Sequence, residues 1–320
     1  MPRRSPRRHR LPEPLLSSAF TRAQAVAMGV DERRLTYDDV VPLGAGVYAA
    51  TELVERTPPE RRHHLVARAL MSERPEAWIS DSTAAQLRGL DLPRHLAMDR
   101  RVHLTQRPSP DTRVERTGVV GHRRAVRDRD VVEFDGVSVS SAARNWLELA
   151  EVCSHRELVV LGDQFVRRPY ERYEGRFEPF TTMDELHEVV ETTRRVRGRR
   201  TARLALHDVR VGADSPPETL LRLALVEAGL PEPELQVPAN PDSPWSPRAD
   251  LGYPEWRIAI QYEGKTHYDA DQHRRDQRRD TIFRAAGWEV LHVNGEDLRT
   301  DFRAVVAAVA EALRRRRSLI

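Results

Sequence analysis

The sequence predicts a mixed α/β chain of several domains, and three observations lead there. The chain has 320 residues, more than one average domain holds. Apolar residues recur at helical and at strand spacing in alternating segments. A composition break at Gly212-Ala213-Asp214-Ser215-Pro216-Pro217 then sets off the last part of the chain. The expected layout is a basic disordered tail over 1–14, a helical module with a hairpin over 15–56 and an α+β region over 57–180. An Arg-rich helical connector over 181–210 and an α/β module over 211–320 complete it.

The elements follow in order. Residues 1–14 are rich in Pro and Arg without periodicity, so order is expected from Leu15. Thr21-Arg22-Ala23-Gln24 is a capping-box pattern opening a short helix that ends at Gly29. Asp31 can cap a second helix running to about Val40, and Leu43 to Ala49 reads as a hairpin. Together these make a winged helix-turn-helix, with Arg22, Arg33 and Arg34 as candidate phosphate contacts and Asp38 and Asp39 opposing them. A small helical subdomain without a nucleic-acid role has the same pattern.

Next, Pro59 to Met71 and Ser82 to Arg88 read as helices, Val102 to Gln106 and Val119 to Arg123 as strands. Asp135-Gly136 is a hairpin signal, and Ser140-Ser141 cap an apolar helix containing Trp146, Leu147 and Leu149. His103, His122 and His155 are read as isolated, and Thr182 to about Val209 as the helical connector. Ser215 then caps a helix whose first turn holds the prolines and Glu218. A hairpin around Gly252 to Trp256, a polar helix from about Asp269 to Ala286, a strand over Trp288 to Val293 and a last helix follow. Phe302, Val305, Val306, Val309 and Leu313 form a core-facing stripe on that helix.

Composition limits the function classes. Hydrophobic residues make up 39% and charged residues 32%, polar for a globular protein but enough for several small cores. A formal charge of +3 excludes a uniformly basic surface. Arginines cluster instead over 3–10, 194–203, 274–279 and 314–317, where they can neutralise phosphates or simply form solvated faces. Cys153 is the single cysteine, so no disulfide framework is expected, and a reduced cytoplasmic compartment is. The basic start is not followed by an apolar run, and Ala304 to Leu313 is short and contains Glu311, so neither signal peptide nor membrane span is expected.

The chemistry is expected around Lys265, the only lysine. In the strand Arg257 to Glu263, alternation sets Ile258, Ile260 and Tyr262 on one face and Gln261 and Glu263 on the other. Asp250 lies on the preceding strand. Two such carboxylates can hold Mg²⁺ or Mn²⁺ beside a phosphodiester, which polarises the phosphate and acidifies a bound water. Two registers stay open. In the first, Asp250 and Glu263 are the acids and Lys265 stabilises the transition state. In the second, Gln261 stands at the second acid position and Glu263 at the lysine position, with a weaker metal site. His267 is a candidate proton-transfer group. Glu218 is both a cap partner for Ser215 and a candidate to reach the metal. Arg278 and Arg279 are candidate phosphate contacts, and Trp245, Trp256 and Trp288 read as packing residues.

The last segment resembles the Vsr-like family of predicted endonucleases, with the restriction-endonuclease-like, PD-(D/E)XK fold. The resemblance rests on Ser215-Pro216-Pro217-Glu218, Gly229-Leu230-Pro231, Arg248-Ala249-Asp250-Leu251, Glu263-Gly264 with His267, and Arg279 before Gly287-Trp288-Glu289-Val290-Leu291. The family pattern on the second strand is Glu-x-Asp-Gly-x-x-His, where this chain has Gln261-Tyr262-Glu263-Gly264-Lys265-Thr266-His267. Residues 15 to about 180 resemble the AbiEi-type antitoxins of type IV toxin–antitoxin systems. That resemblance rests on Phe20-Thr21-Arg22-Ala23-Gln24-Ala25, Gly44-Ala45-Gly46-Val47-Tyr48 and Ser80-Asp81-Ser82-Thr83-Ala84-Ala85 before Gly89. The resemblances imply DNA as the partner, with a cognate toxin or self-association as further expectations. They leave two functions open: a Mg²⁺-dependent DNA endonuclease, or a non-catalytic DNA-binding regulator with a degenerate nuclease fold.

Overall fold

The computed structural model of the chain describes residues 10–109, 116–264 and 270–318. Its mixed α/β architecture divides into two units, Met1–Cys153 with Asp184–Arg200, and Ser154–Met183 with Thr201–Ile320.

In the first unit, β1 (Phe20–Thr21), β2 (Val40–Gly44) and β3 (Val47–Ala50) form an antiparallel sheet in the order β1-β3-β2. Thr21 and Gln24 close the expected capping box on helix Arg22–Ala27. The second expected helix does not form: Glu32–Thr36 is a 3-10 turn, and β2 already begins at Val40. The cause is local. Asp31 accepts the Arg33 N–H, and Arg34 turns back onto Asp39, which reverses the chain instead of extending a helix. Packing also starts earlier than expected, since Leu11 is buried with Leu15, Phe20 and Leu35, and helix Glu13–Ser17 precedes β1. Residues 1–9 of the expected tail lie outside the described residues.

The larger sheet of this unit contains β4 (Trp78–Ile79), β5 (Val102–Gln106), β6 (Val119–Arg123), β7 (Val131–Phe134) and β8 (Val137–Ser140). Its order is β6-β5-β4-β8-β7, with β5–β6 and β4–β8 parallel and the other pairs antiparallel. The Asp135-Gly136 turn joins β7 to β8 with both residues at positive φ, 49° and 74°, as a tight hairpin requires. Val66 and Leu70 of helix Arg62–Glu73 and Leu87 of helix Asp81–Leu87 pack on Ile79, Leu104 and Val139. Ser141 caps helix Ala142–Leu149, every residue of which is buried. The expected connector consists of two helices, Met183–Thr192 and Arg199–Asp208.

The second unit holds β9 (Glu234–Pro238), β10 (Arg248–Tyr253), β11 (Ile258–Glu263) and β12 (Glu289–Asn294) in the order β12-β11-β10-β9. β9, β10 and β11 are antiparallel neighbours, while β11 and β12 are parallel, with helix Ala270–Ala285 between them in sequence. One apolar cluster joins Leu251, Ile258, Ile260 and Val293 to Leu221 and Leu225 of helix Pro216–Glu227 and to Val305, Val309 and Leu313 of helix Arg303–Arg317. A second gathers Ala249, Ala259, Phe283 and Trp288. Trp288 is buried and Trp256 partly so, but Trp245 is 92% exposed, against the expectation that it packs. Its loop carries too few apolar neighbours to cover an indole.

Helix His155–Val166 belongs to this unit although it lies far upstream of the composition break. The reason is a buried ion pair: Asp163 accepts Arg222 Nη2 at 2.9 Å and the Thr219 hydroxyl at 2.9 Å. Burial pushes the Asp163 carboxyl up to about 6, and Arg222 opposes that rise.

Candidate functional site

The expected site lies at the Asp250 end of β10. The antiparallel pairing Leu251↔Ile260, Gly252↔Ala259, Tyr253↔Ile258 is regular and ends at Leu251, one residue short of Asp250. At Asp250 the strand deviates. Ala249 packs with Ala259 and Phe283, whereas Leu251 packs with Ile258 and Ile260, although residues two apart on a strand normally share a face. Gln236, level with Asp250 on β9, has φ of 53°. This irregularity turns the Asp250 carboxylate onto the backbone, where Oδ2 accepts the Tyr262 N–H at 2.6 Å.

Glu218 reaches the same region from the amino end of helix Pro216–Glu227 and is 6% exposed. Ser215 does not cap that helix by accepting a backbone N–H. Its Oγ donates instead to Glu218 Oε1 at 2.7 Å, and the Asp214 N–H donates to Oε2 at 2.8 Å. Burial, then the nearby Asp250 charge, pushes the Glu218 carboxyl up to about 8. Asp250 is raised to about 6, again mainly by burial, with the Tyr262 N–H and the Arg279 guanidinium opposing the rise. Asp214 is raised by burial as well; it accepts the Tyr170 hydroxyl and Gln236 Nε2. Asp214, Tyr170 and Gln236 were not singled out in the sequence, because only the folded chain brings 170, 214 and 236 together.

Gln261 is fully buried, and neither its Nε2 nor its Oε1 has a hydrogen-bond partner among the described residues. Such a group marks a place where a polar ligand or water is needed. Glu263 is exposed at the strand end and pairs with His292 Nδ1 at 2.8 Å, while His292 Nε2 meets Asp280 Oδ2 at 2.8 Å. The parallel register sets Gln261 beside His292, a neighbour that strand parity alone could not identify. Arg279 is partly buried beside Asp276, with its Nε unpartnered, whereas Arg278 is exposed. Lys265 and His267 lie outside the described residues.

The fold therefore brings Glu218 and Arg279 each into electrostatic reach of Asp250. No three carboxylate oxygens here converge within 4.8 Å of one another among the described residues. Both oxygens of Glu218 are held by its own helix start, which keeps them from the strand end.

The arginines expected to meet phosphate behave differently. Arg22 is exposed and pairs with Glu32, and Arg33 is exposed. Arg34 is 5% exposed, donates to both Asp39 oxygens at 2.7 and 2.5 Å and lies over the Tyr37 ring. Its guanidinium is turned inward, so the expectation of a phosphate contact is corrected to a structural one.

None of the three histidines expected to be isolated is so, and His155 Nε2 lies 3.0 Å from Asp208 Oδ2. His103 Nδ1 lies 3.0 Å from His122 Nε2, and that nitrogen is 3.4 Å from Asp81 Oδ2. The parallel β5–β6 pairing, with Thr105 opposite His122, brings them together across the intervening loop. Spacing in sequence gives no sign of this.

No described protein family matches the sequence, and no solved structure matches it. Two curated proteins from strains of Mycobacterium tuberculosis, "Uncharacterized protein MT2308" and "Uncharacterized protein Rv2248", are each similar at 31% identity over 134 residues. The match covers 42% of this chain, which spans about half the length (49%) of those relatives.

Proposed function

We propose that the chain is a metal-dependent DNA endonuclease acting at the Asp250 end of the second unit's sheet. The observation that carries this reading is the buried acid pair Asp250 and Glu218, both raised by burial, with the buried Gln261 amide, which has no hydrogen-bond partner among the described residues. Acidic groups raised in this way are relieved by a cation, so the donor set fits Mg²⁺ or Mn²⁺, which prefer oxygen ligands. Asp250 and Glu263 would hold the ion, with the Gln261 carbonyl oxygen as a further donor. A bound ion would polarise the phosphate and lower the pKa of its water.

The remaining roles belong to the chain itself. Arg279, beside Asp250, can bind a phosphate oxygen and offset charge on the scissile group. His292, bridging Glu263 and Asp280, can pass a proton away from the site. Lys265 and His267 follow directly in sequence and are assigned transition-state stabilisation and proton transfer. The amino-terminal module, a short helix with a hairpin, would hold duplex DNA through exposed Arg22 and Arg33.

A second reading, a non-catalytic DNA-binding regulator of antitoxin type, is favoured by two observations. An amide, Gln261, stands on β11 two residues before Glu263, and no three acids converge among the described residues. Nicking of supercoiled plasmid by the purified chain separates the two. The endonuclease requires Mg²⁺- or Mn²⁺-dependent nicking that drops at least ~100-fold in Asp250→Ala. Salt-sensitive retention of duplex DNA with no nicking would establish the regulator instead.

A further inference from the structure

The first unit contains a second constellation that the nuclease reading does not use. Asp81 opens helix Asp81–Leu87, His103 lies on β5 and His122 on β6. One ligand atom from each lies within 4.8 Å of the others. The nearest pairs are His103 Nδ1 to His122 Nε2 at 3.0 Å and His122 Nε2 to Asp81 Oδ2 at 3.4 Å. A tetrahedral Zn²⁺ with bonds of about 2.0–2.1 Å spaces its donors by roughly 3.3 Å, close to both separations. Two imidazoles directed at one point and at a carboxylate form a mixed nitrogen–oxygen donor set suited to Zn²⁺ or a similar first-row ion.

A second feature is independent of the donor spacing. His103 Nε2 faces Asp99 Oδ2 at 3.4 Å. When that nitrogen carries the proton, the Nδ1 lone pair points at His122 and Asp81. A carboxylate behind the ring fixing its tautomer is the usual outer partner of a metal-bound histidine. The two rings stack with centroids 5.2 Å apart, and both are mostly buried.

Competing partners are also present. Asp81 Oδ2 accepts the Ser80 hydroxyl at 2.7 Å and Arg124 Nη1 at 2.6 Å, while Oδ1 accepts Arg124 Nη2 at 2.8 Å. That guanidinium is itself offset by Glu148 at 3.5 Å and Glu151 at 3.9 Å. Asp99, Glu148 and Glu151 carry their own arginines, Arg101, Arg144 and Arg197, so a bound ion would compete with Arg124 for Asp81.

We infer that Asp81, His103 and His122 form a binding site for Zn²⁺ or a similar transition-metal ion, with Asp99 as positioning residue and a fourth position open to water. The ion would fasten the start of helix Asp81–Leu87 to the β5–β6 edge.

Titration of the full chain with Zn²⁺ alone, followed by calorimetry, tests this, together with the visible spectrum after Co²⁺ substitution. The expected result is one Zn²⁺ bound per chain, with affinity falling on the order of 100-fold in His103→Ala and in His122→Ala. Asp99→Asn should weaken it roughly 10-fold. Intense tetrahedral Co²⁺ bands in the unmodified chain provide a readout that no variant's folding can confound. Zn²⁺ affinity in both histidine variants equal to that of the unmodified chain would overturn the site, as would a weak octahedral Co²⁺ spectrum. Loss of binding in Asp250→Ala alone would move the ion to the second unit.

Discussion

Glu218 carries the most consequential titration among the described residues. Its folded carboxyl is raised to about 8 from an ordinary 4.5, and Asp250 and Asp163 are raised to about 6. A carboxyl raised by folding makes the native state hold protons that the unfolded chain has released. The stability it contributes is complete below the unfolded value and is lost as pH rises through the folded one. Thermal melts should therefore show Tm falling between about pH 5 and pH 8, and Glu218→Gln should flatten the upper part of that slope. An unchanged slope in the variant would show that another group is responsible. Arg222 invites a different test, because it is buried against Asp163 and also meets Glu232 and the Asp208 carbonyl. Arg222→Ala leaves Asp163 buried without its cation, an expected loss of about 3–5 kcal/mol by denaturant unfolding. The double variant Asp163→Leu with Arg222→Met should cost clearly less, since no charge is then left unpaired.

Among elements, the short 3-10 turn Glu32–Thr36 separates structural from exposed arginines. Arg34→Ala should lower Tm by removing the clamp on Asp39, whereas Arg22→Ala and Arg33→Ala should keep Tm and weaken DNA retention at low salt. DNA binding that falls only in Arg34→Ala would contradict this division. Gly198 governs another junction, with φ of 74° and a site where a Cβ would lie 2.1 Å from the Ala150 carbonyl oxygen. Gly198→Ala should cost about 2 kcal/mol or more in the same unfolding measurement, because both backbone strain and the clash must be relieved. Most elements were legible from local rules. The Asp135-Gly136 hairpin and the Thr21–Gln24 capping box form where the sequence places them. The failure at Asp31–Val40 arose because Arg34 and Asp39 bond each other and override a helix of weak formers.

At the scale of the whole molecule, the second unit draws on chain well before the composition break at Gly212. Helix His155–Val166 supplies Asp163, and Tyr170 supplies the hydroxyl bound by Asp214. A fragment of residues 211–320 should consequently be far less stable than one of 154–320, with a lower Tm by circular dichroism. Equal stability of the two fragments would show that the upstream helix is dispensable. The expected boundary came from composition, which registers a flexible proline-rich passage but not a helix that returns to pack across it.

The sequence by itself determined the mixed α/β class and the strands and helices with clear period and caps. Those are local properties, written in residues close together along the chain. Only the tertiary structure decided that Gln261 is buried without a hydrogen-bond partner among the described residues, that Glu218 is occupied at its own helix start, and that His292 bridges Glu263 and Asp280. It likewise brought His103, His122 and Asp81 together from separate elements. Parallel pairing and sheet order join residues at separations that no local pattern encodes, and burial then sets their charge states.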